Sequence, residues 1–297
     1  MSSTQSFHSI TLTRGAQFGA RTAQRDLFVL PGLLGYGDKQ IEPLRETLVS
    51  LGYSIIPISY VESDWKPQLI ALEAVTLVRQ SIRSGRQPTL FGVSLGGVLA
   101  ALISDRLTLE ERPQLAVVPV DSPSGADTPV AMSKAPRTIG TVFGSGAYGV
   151  LNGKAGNGIL GKMMQPPKRQ FVEVPERIQN EADREAYIDS VINQARAGLS
   201  GHTWKTWGGQ LGWLSSKEQP RLASLASVQR VLYFQCRPLD EQDPATPNNN
   251  VVVQPLAAER WAEQIPGMTV VTVPTDHCGF LEASATWNRV IREHLSA

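Results

Sequence analysis

The chain has 297 residues, near the upper size of one hydrophobic core, so length alone fits one large domain or two modest ones. Its 28 basic and 27 acidic side chains leave a formal charge of +1, which argues against a nucleic-acid binder and against a polybasic membrane-surface protein. A composition 41% hydrophobic and 19% charged excludes wholesale disorder, and no run approaches the ~20 apolar residues of a transmembrane helix. The opening MSSTQSFHSITLTRG has neither the charged nor the apolar region of a signal peptide, so a soluble, cytoplasmic protein is expected.

Along the chain, short apolar runs alternate with longer helical patterns. Phe7 to Thr13 is a candidate antiparallel edge strand. Leu27 to Leu30 reads as a buried strand ending at Pro31-Gly32. Ile41, Leu44, Leu48 and Leu51 then follow helical spacing, with Pro43 early and Gly52 closing the stretch. Tyr53 to Tyr60, β-branched and aromatic, predicts a strand. Leu69, Leu72, Val75, Val78 and Ile82 predict a helix running from Lys66 to Gly85. Pro88 to Val93 is strand, Leu95 to Leu107 helix, and Gln114 to Val120 strand. Such continuous apolar strands, separated by helices, predict an α/β fold with a mostly parallel, doubly wound sheet covered on both faces.

The alternation breaks after Asp121. A glycine-rich stretch covers residues 138–161, and Tyr187, Ile188, Val191, Ile192 and Ala195 mark one amphipathic helix. The rhythm resumes with strands at Val228 to Gln235 and Met268 to Val273, and with helices at Leu256 to Ile265 and Glu282 to Leu295. Residues 1–121 and 226–297 are therefore expected to form one α/β core. Residues 122–225 are expected to be a mainly helical or irregular cap inserted into it.

The strongest chemical signal is LFGVSLGG, residues 90–97, in which Gly92-Val93-Ser94-Leu95-Gly96 is Gly-x-Ser-x-Gly. The pattern has meaning only between a strand and a helix, which is where it falls. There a tight turn lifts the serine above the sheet, and only small flanking residues avoid a clash.

With these residues the chain resembles the α/β-hydrolase superfamily over nearly its whole length. The resemblance implies a serine hydrolase whose nucleophile, acid and histidine occur in that order, with Ser94 as nucleophile. Of four histidines, His8, His202, His277 and His294, only His277 lies between the last expected strand and the last expected helix, in TVPTDHCGFLE. It is the expected base. The acid is expected just past the penultimate strand, at Asp240 in QCRPLDEQDP, with Asp121, at the end of the preceding strand, as the alternative. The expected oxyanion-hole donors are the backbone amides of Leu95 and Leu33. In the second of these loops the family often reads His-Gly, and this chain has Pro31-Gly32 instead.

The implied chemistry is acyl transfer: Ser94 attacks a carbonyl, His277 moves the proton, and water releases the acid. No metal or organic cofactor is called for, since the chain has no His-x-x-x-His pair, no P-loop and no dinucleotide glycine fingerprint. The expected partner is a small-molecule substrate. In HTWKTWGGQLGW, residues 202–213, the residues Trp204, Trp207 and Trp213 either line a pocket for an apolar acyl or aromatic ester or dock the cap on the sheet. The same triad would also serve a thioesterase, acyltransferase, amidase or carbon–carbon bond hydrolase, and a non-catalytic ligand-binding relative is the remaining alternative. Cys236 and Cys278 follow neighbouring strands close to the expected acid and histidine. Two free thiols are the default in a reducing compartment, although a bridge is conceivable.

Overall fold

The protein's computed structural model describes residues 12–14, 17–19, 23–32, 37–60, 65–124, 169, 172–199, 210, 213–214, 220–237, 256–275 and 277–296. Their strands are β1 (Leu12–Arg14), β2 (Arg25–Leu30), β3 (Tyr53–Tyr60), β4 (Gln87–Val93), β5 (Ala116–Val120), β6 (Arg230–Cys236) and β7 (Thr269–Val273). They form one sheet in the order β1-β3-β2-β4-β5-β6-β7. All neighbouring pairs are parallel except β1 with β3, which is antiparallel, as expected for an N-terminal edge strand. The rest of the Phe7–Thr13 expectation lies outside the described residues.

The helices are α1 (Gly37–Ile41), α2 (Arg45–Ser50), α3 (Pro67–Arg83), α4 (Leu95–Asp105), α5 (Glu181–Leu199), α6 (Leu256–Gln264) and α7 (Ser284–Leu295). Successive strand residues feed opposite faces, because the side-chain period of a strand is two. Phe28, Leu30, Leu90, Val117, Val231 and Tyr233 join the core beneath α3, α4 and α6. Leu27, Val29, Phe91, Val93, Val118, Leu232 and Phe234 join the core beneath α2 and α7. Burial on both faces is why these strands read as unbroken apolar runs rather than as alternating ones.

One expectation needs adjusting. The amphipathic stretch around Pro43 is not a single helix but α1, a 3-10 turn at Glu42–Leu44, and α2. Proline has no N–H to donate and its ring crowds the preceding turn, so the helix is re-started after it. The apolar residues still share a face, and Ile41, Leu44 and Leu48 are fully buried.

The order of the strands positions the site. From β2 the chain moves outward to β3, then crosses back over β2 to reach β4. Connections thus leave β2 and β4 in opposite directions, the arrangement in which α/β sheets generally bind ligands beyond their carboxyl ends. Leu30 pairs with Gly92, and Val93 with Val120, so the ends of β2, β4 and β5 arrive level with one another. No helix of the described residues is long and apolar enough to cross a membrane.

Candidate active site

Ser94 is the hinge between β4 and α4. Its backbone sits at φ 50°, ψ −113°, a left-handed conformation that side chains resist, and its N–H donates to the Val120 carbonyl at 2.8 Å. Packing imposes this turn. A Cβ on Gly96 would stand 2.0 Å from the Leu30 carbonyl oxygen, and one on Gly97 would stand 2.0 Å from Ser122 Oγ. Glycine at these two positions lets α4 start directly against the ends of β2 and β5, which forces the chain to turn sharply at Ser94.

Asp121 follows β5 and lies in the same plane of strand ends. It too has a positive φ, 45°, while its N–H continues the ladder to the Phe234 carbonyl at 2.7 Å. The segment after it is fixed by two buried donors. Tyr233 Oη donates to the Ser122 carbonyl at 2.7 Å, and Trp261 Nε1 donates to the Pro123 carbonyl at 3.2 Å. The carboxylate is therefore held on a rigid stem, and it is 2% exposed.

His277 enters from the loop between β7 and α7, and its Nδ1 lies 2.5 Å from Asp121 Oδ2. With Nδ1 engaged by the carboxylate, Nε2 is the ring nitrogen left for a second partner. The neighbour of Nε2 is Cys278 Sγ at 3.7 Å, and no hydrogen bond joins Ser94 Oγ to the ring. Ser94, Asp121 and Cys278, with φ 54°, are the non-glycine residues of positive φ among the described residues. Backbone strain is thus gathered at one place, as is usual for a functional site.

The two thiols are free. Burial, and secondarily the nearby Asp121 charge, pushes the Cys236 thiol well above its ordinary range. Burial does the same for Cys278, helped by Cys236 and Asp121. Both therefore stay protonated at neutral pH, which makes them poor nucleophiles.

Beside Ser94 lies the Pro31–Gly32 segment that follows β2. A Cβ on Gly32 would be 3.3 Å from Ser94 Cβ, so this loop lies against the serine. Leu95, the other expected donor residue, is fully buried at the first position of α4.

Asp240, Leu33, Trp204 and Trp207 lie outside the described residues. The sequence ranked Asp240 ahead of Asp121, but the carboxylate bonded to His277 Nδ1 is that of Asp121. Trp213 is 2% exposed and packs on Trp65, ring centroids 5.8 Å apart, while Trp65 packs edge-on against Tyr60 at 5.4 Å. The segment between β5 and β6 also reaches the histidine loop: Val172, Val191 and Ile192 cluster with Leu281. Sequence reasoning overlooked Gln40 and Tyr60, whose side chains bind the Pro31–Gly32 turn, because neither belongs to a motif. A cavity of about 300 Å³ lined by Arg25, Tyr53, Thr89 and Arg230 lies at the opposite, N-terminal edge of the sheet, away from this site.

A family model described as "Alpha/beta hydrolase family" matches residues 6–290. The chain belongs to the alpha/beta hydrolase family. Curated proteins provide no match. Among solved structures, this alpha/beta hydrolase is similar to an enol-lactonase from Burkholderia xenovorans LB400, with TM-score 0.64 and 11% identity over 96% of each chain. It is similar to MenH from S. aureus, with TM-score 0.64 and 15% identity over 96% of this chain and 97% of the other. It is also similar to a thermophilic esterase from Thermogutta terrifontis, with TM-score 0.58 and 17% identity over 96% and 92%. Identities this low speak for the fold alone.

Proposed function

We propose that this alpha/beta hydrolase is a serine hydrolase that cleaves a carboxylic ester through Ser94, His277 and Asp121. The observation that carries the reading is the 2.5 Å contact between Asp121 Oδ2 and His277 Nδ1, beside a serine turned out at φ 50°. Asp121 takes the role for which the sequence had favoured Asp240.

In this reading His277 Nε2 accepts the Ser94 hydroxyl proton as Oγ attacks the ester carbonyl. Asp121 keeps Nδ1 protonated and stabilises the imidazolium, and is not itself protonated. The Leu95 amide and one from the loop after β2, expected at Leu33, stabilise the oxyanion. His277 then hands its proton to the departing alkoxide, leaving Ser94 acylated. Water, deprotonated by His277, attacks the acyl-enzyme, and the acid leaves as Ser94 recovers its proton. The residues used are all side chains and amides of the chain, so the cycle calls for no cofactor. Residues 122–225 would act as a cap over the carboxyl ends of β2 and β4, with Trp204 and Trp207 offering an apolar wall for the acyl or aryl group. Trp213, already buried on Trp65, is assigned to docking the cap.

Labelling with a fluorophosphonate, followed by peptide mapping, tests the nucleophile. Modification of Ser94 in the wild type and its loss in Ser94→Ala are expected. A folded protein that neither labels nor hydrolyses any p-nitrophenyl ester would overturn the reading. A chain-length series of those esters tests the apolar wall, and preference for acetate alone would remove it.

A further inference from the structure

Pro31 and Gly32 share one peptide group, and both of its polar atoms are held by side chains. Tyr60 Oη donates to the Pro31 carbonyl at 3.0 Å, and the Gly32 N–H donates to Gln40 Oε1 at 3.0 Å. The group is planar, so a bond at each end fixes the orientation of the whole plane. Tyr60 is 4% exposed at the end of β3, and burial pushes its hydroxyl well above the usual range, which keeps it a donor. Gln40 comes from α1, on the far side of the turn. The clamp therefore joins two elements that the sequence does not connect through any motif.

The clamped peptide adjoins the nucleophile, since Gly32 faces Ser94 Cβ and the Val93 carbonyl at 3.3 Å, measured from a built Cβ. The Gly32 amide is committed to Gln40, so it is not free to serve as an oxyanion donor. We propose that Tyr60 and Gln40 are positioning residues that clamp the Pro31–Gly32 peptide and thereby hold the wall against which Ser94 aims its hydroxyl at the substrate carbonyl. This rests on the reading of Ser94 as an acyl-transfer nucleophile. The wall fixes the attack geometry of Ser94 Oγ and need not touch the bound substrate, so the clamp acts on turnover rather than on substrate binding.

The test compares wild type, Tyr60→Phe, Gln40→Met and the double variant on a p-nitrophenyl ester, with inhibition by an alkyl boronic acid as an oxyanion mimic. Each single variant should lose about tenfold in kcat with KM within about twofold, and boronate inhibition should weaken in parallel. Both side chains hold one peptide plane, so the double variant should lose less than the product of the single losses. If wild type hydrolyses the ester while both variants keep its kcat, or lose only in KM, the positioning role is overturned and the hydrolase reading stands. A wild type that neither hydrolyses the ester nor labels with a fluorophosphonate overturns the role of Ser94 itself. Should Tyr60→Phe fail to fold, Gln40→Met alone decides by the same kcat-against-KM criterion.

Discussion

Asp121 and His277 are 156 residues apart in sequence, yet Oδ2 of one lies 2.5 Å from Nδ1 of the other. The parallel sheet makes this possible, because β5 and β7 flank β6 and deliver their following loops to the same edge. If this pair is the acid–base couple, Asp121→Asn should lower kcat by roughly 10³- to 10⁴-fold, since the amide cannot hold the imidazole in the required tautomer. Asp240→Asn should stay within a few-fold of wild type. Steady-state kinetics of the two variants on one ester decide the matter, and the reverse ranking would return the role to Asp240.

Gly97 and Ser122 show how closely α4 is pressed on the end of β5. A methyl group at Gly97 would meet Ser122 Oγ at 2.0 Å and Ser122 Cβ at 2.6 Å. Gly97→Ala should therefore destabilise the chain by about 1–3 kcal/mol, through overpacking. Adding Ser122→Gly removes both clashing atoms and should recover part of the loss. Thermal melts of the single and double variants would reveal this, and no recovery would mean that the clash is relieved elsewhere.

The segment between β5 and β6 is fastened to α7 by one carboxylate. Glu173 Oε2 accepts from the Thr286 N–H at 3.0 Å, its Oε1 accepts from the Thr286 hydroxyl, and its own N–H donates to the Glu282 carbonyl at 2.7 Å. A helix start leaves N–H groups unpaired, and here a residue remote in sequence supplies the missing acceptor. Glu173→Ala should cost about 1 kcal/mol. Combined with Thr286→Ala it should cost less than the sum, which a double-mutant cycle in urea would measure. Strict additivity would show that the two side chains stabilise the chain independently.

The two thiols give an alkaline signature. Both are pushed upward by burial, so the folded chain keeps protons that the unfolded chain releases above the free-thiol pKa of about 8.5. Their stabilising effect is complete below that pH and is lost as pH rises toward the folded-state values. Denaturant midpoints should fall from about pH 8.5 upward, and more shallowly in Cys236→Ala/Cys278→Ala. A disulfide reagent at pH 8 should leave the buried Cys236 largely unmodified in the native chain and react with both thiols after unfolding. Rapid reaction of Cys236 in the native chain would contradict its protonated, buried state.

Local pattern carried most of the fold. The apolar run at Tyr53–Tyr60, the helical face from Leu69 to Ile82 and the strand before Ser94 each reappear with nearly the same bounds. These segments bury a whole face or both faces, and burial at period two or 3.6 writes itself into the residues. The stretch around Pro43 was less legible, since helical spacing survives a break that proline forces on the backbone.

Ser94 and His277 stand out as candidates for a different reason: one lies in a strand–turn–helix pattern with small neighbours, the other is the histidine at the matching place in chain order. Which carboxylate meets His277 was not legible. Asp121 and Asp240 each follow a strand, and nothing local separates them; the choice depends on how β5, β6 and β7 are aligned across the sheet. The clamp of Tyr60 and Gln40 on the Pro31–Gly32 peptide belongs to the same class, because a hydrogen bond between distant segments leaves no periodicity in either.

Length, charge and composition by themselves allowed one large soluble domain or two, and residue pattern reduced this to an α/β core. Tertiary structure alone decided the partner of His277, the left-handed turns at Ser94, Asp121 and Cys278, and the side chains that hold the Pro31–Gly32 peptide beside Ser94. The physical reason is range. Burial and backbone propensity act over a few neighbours, whereas the distances that set chemistry are fixed where strands far apart in sequence end side by side.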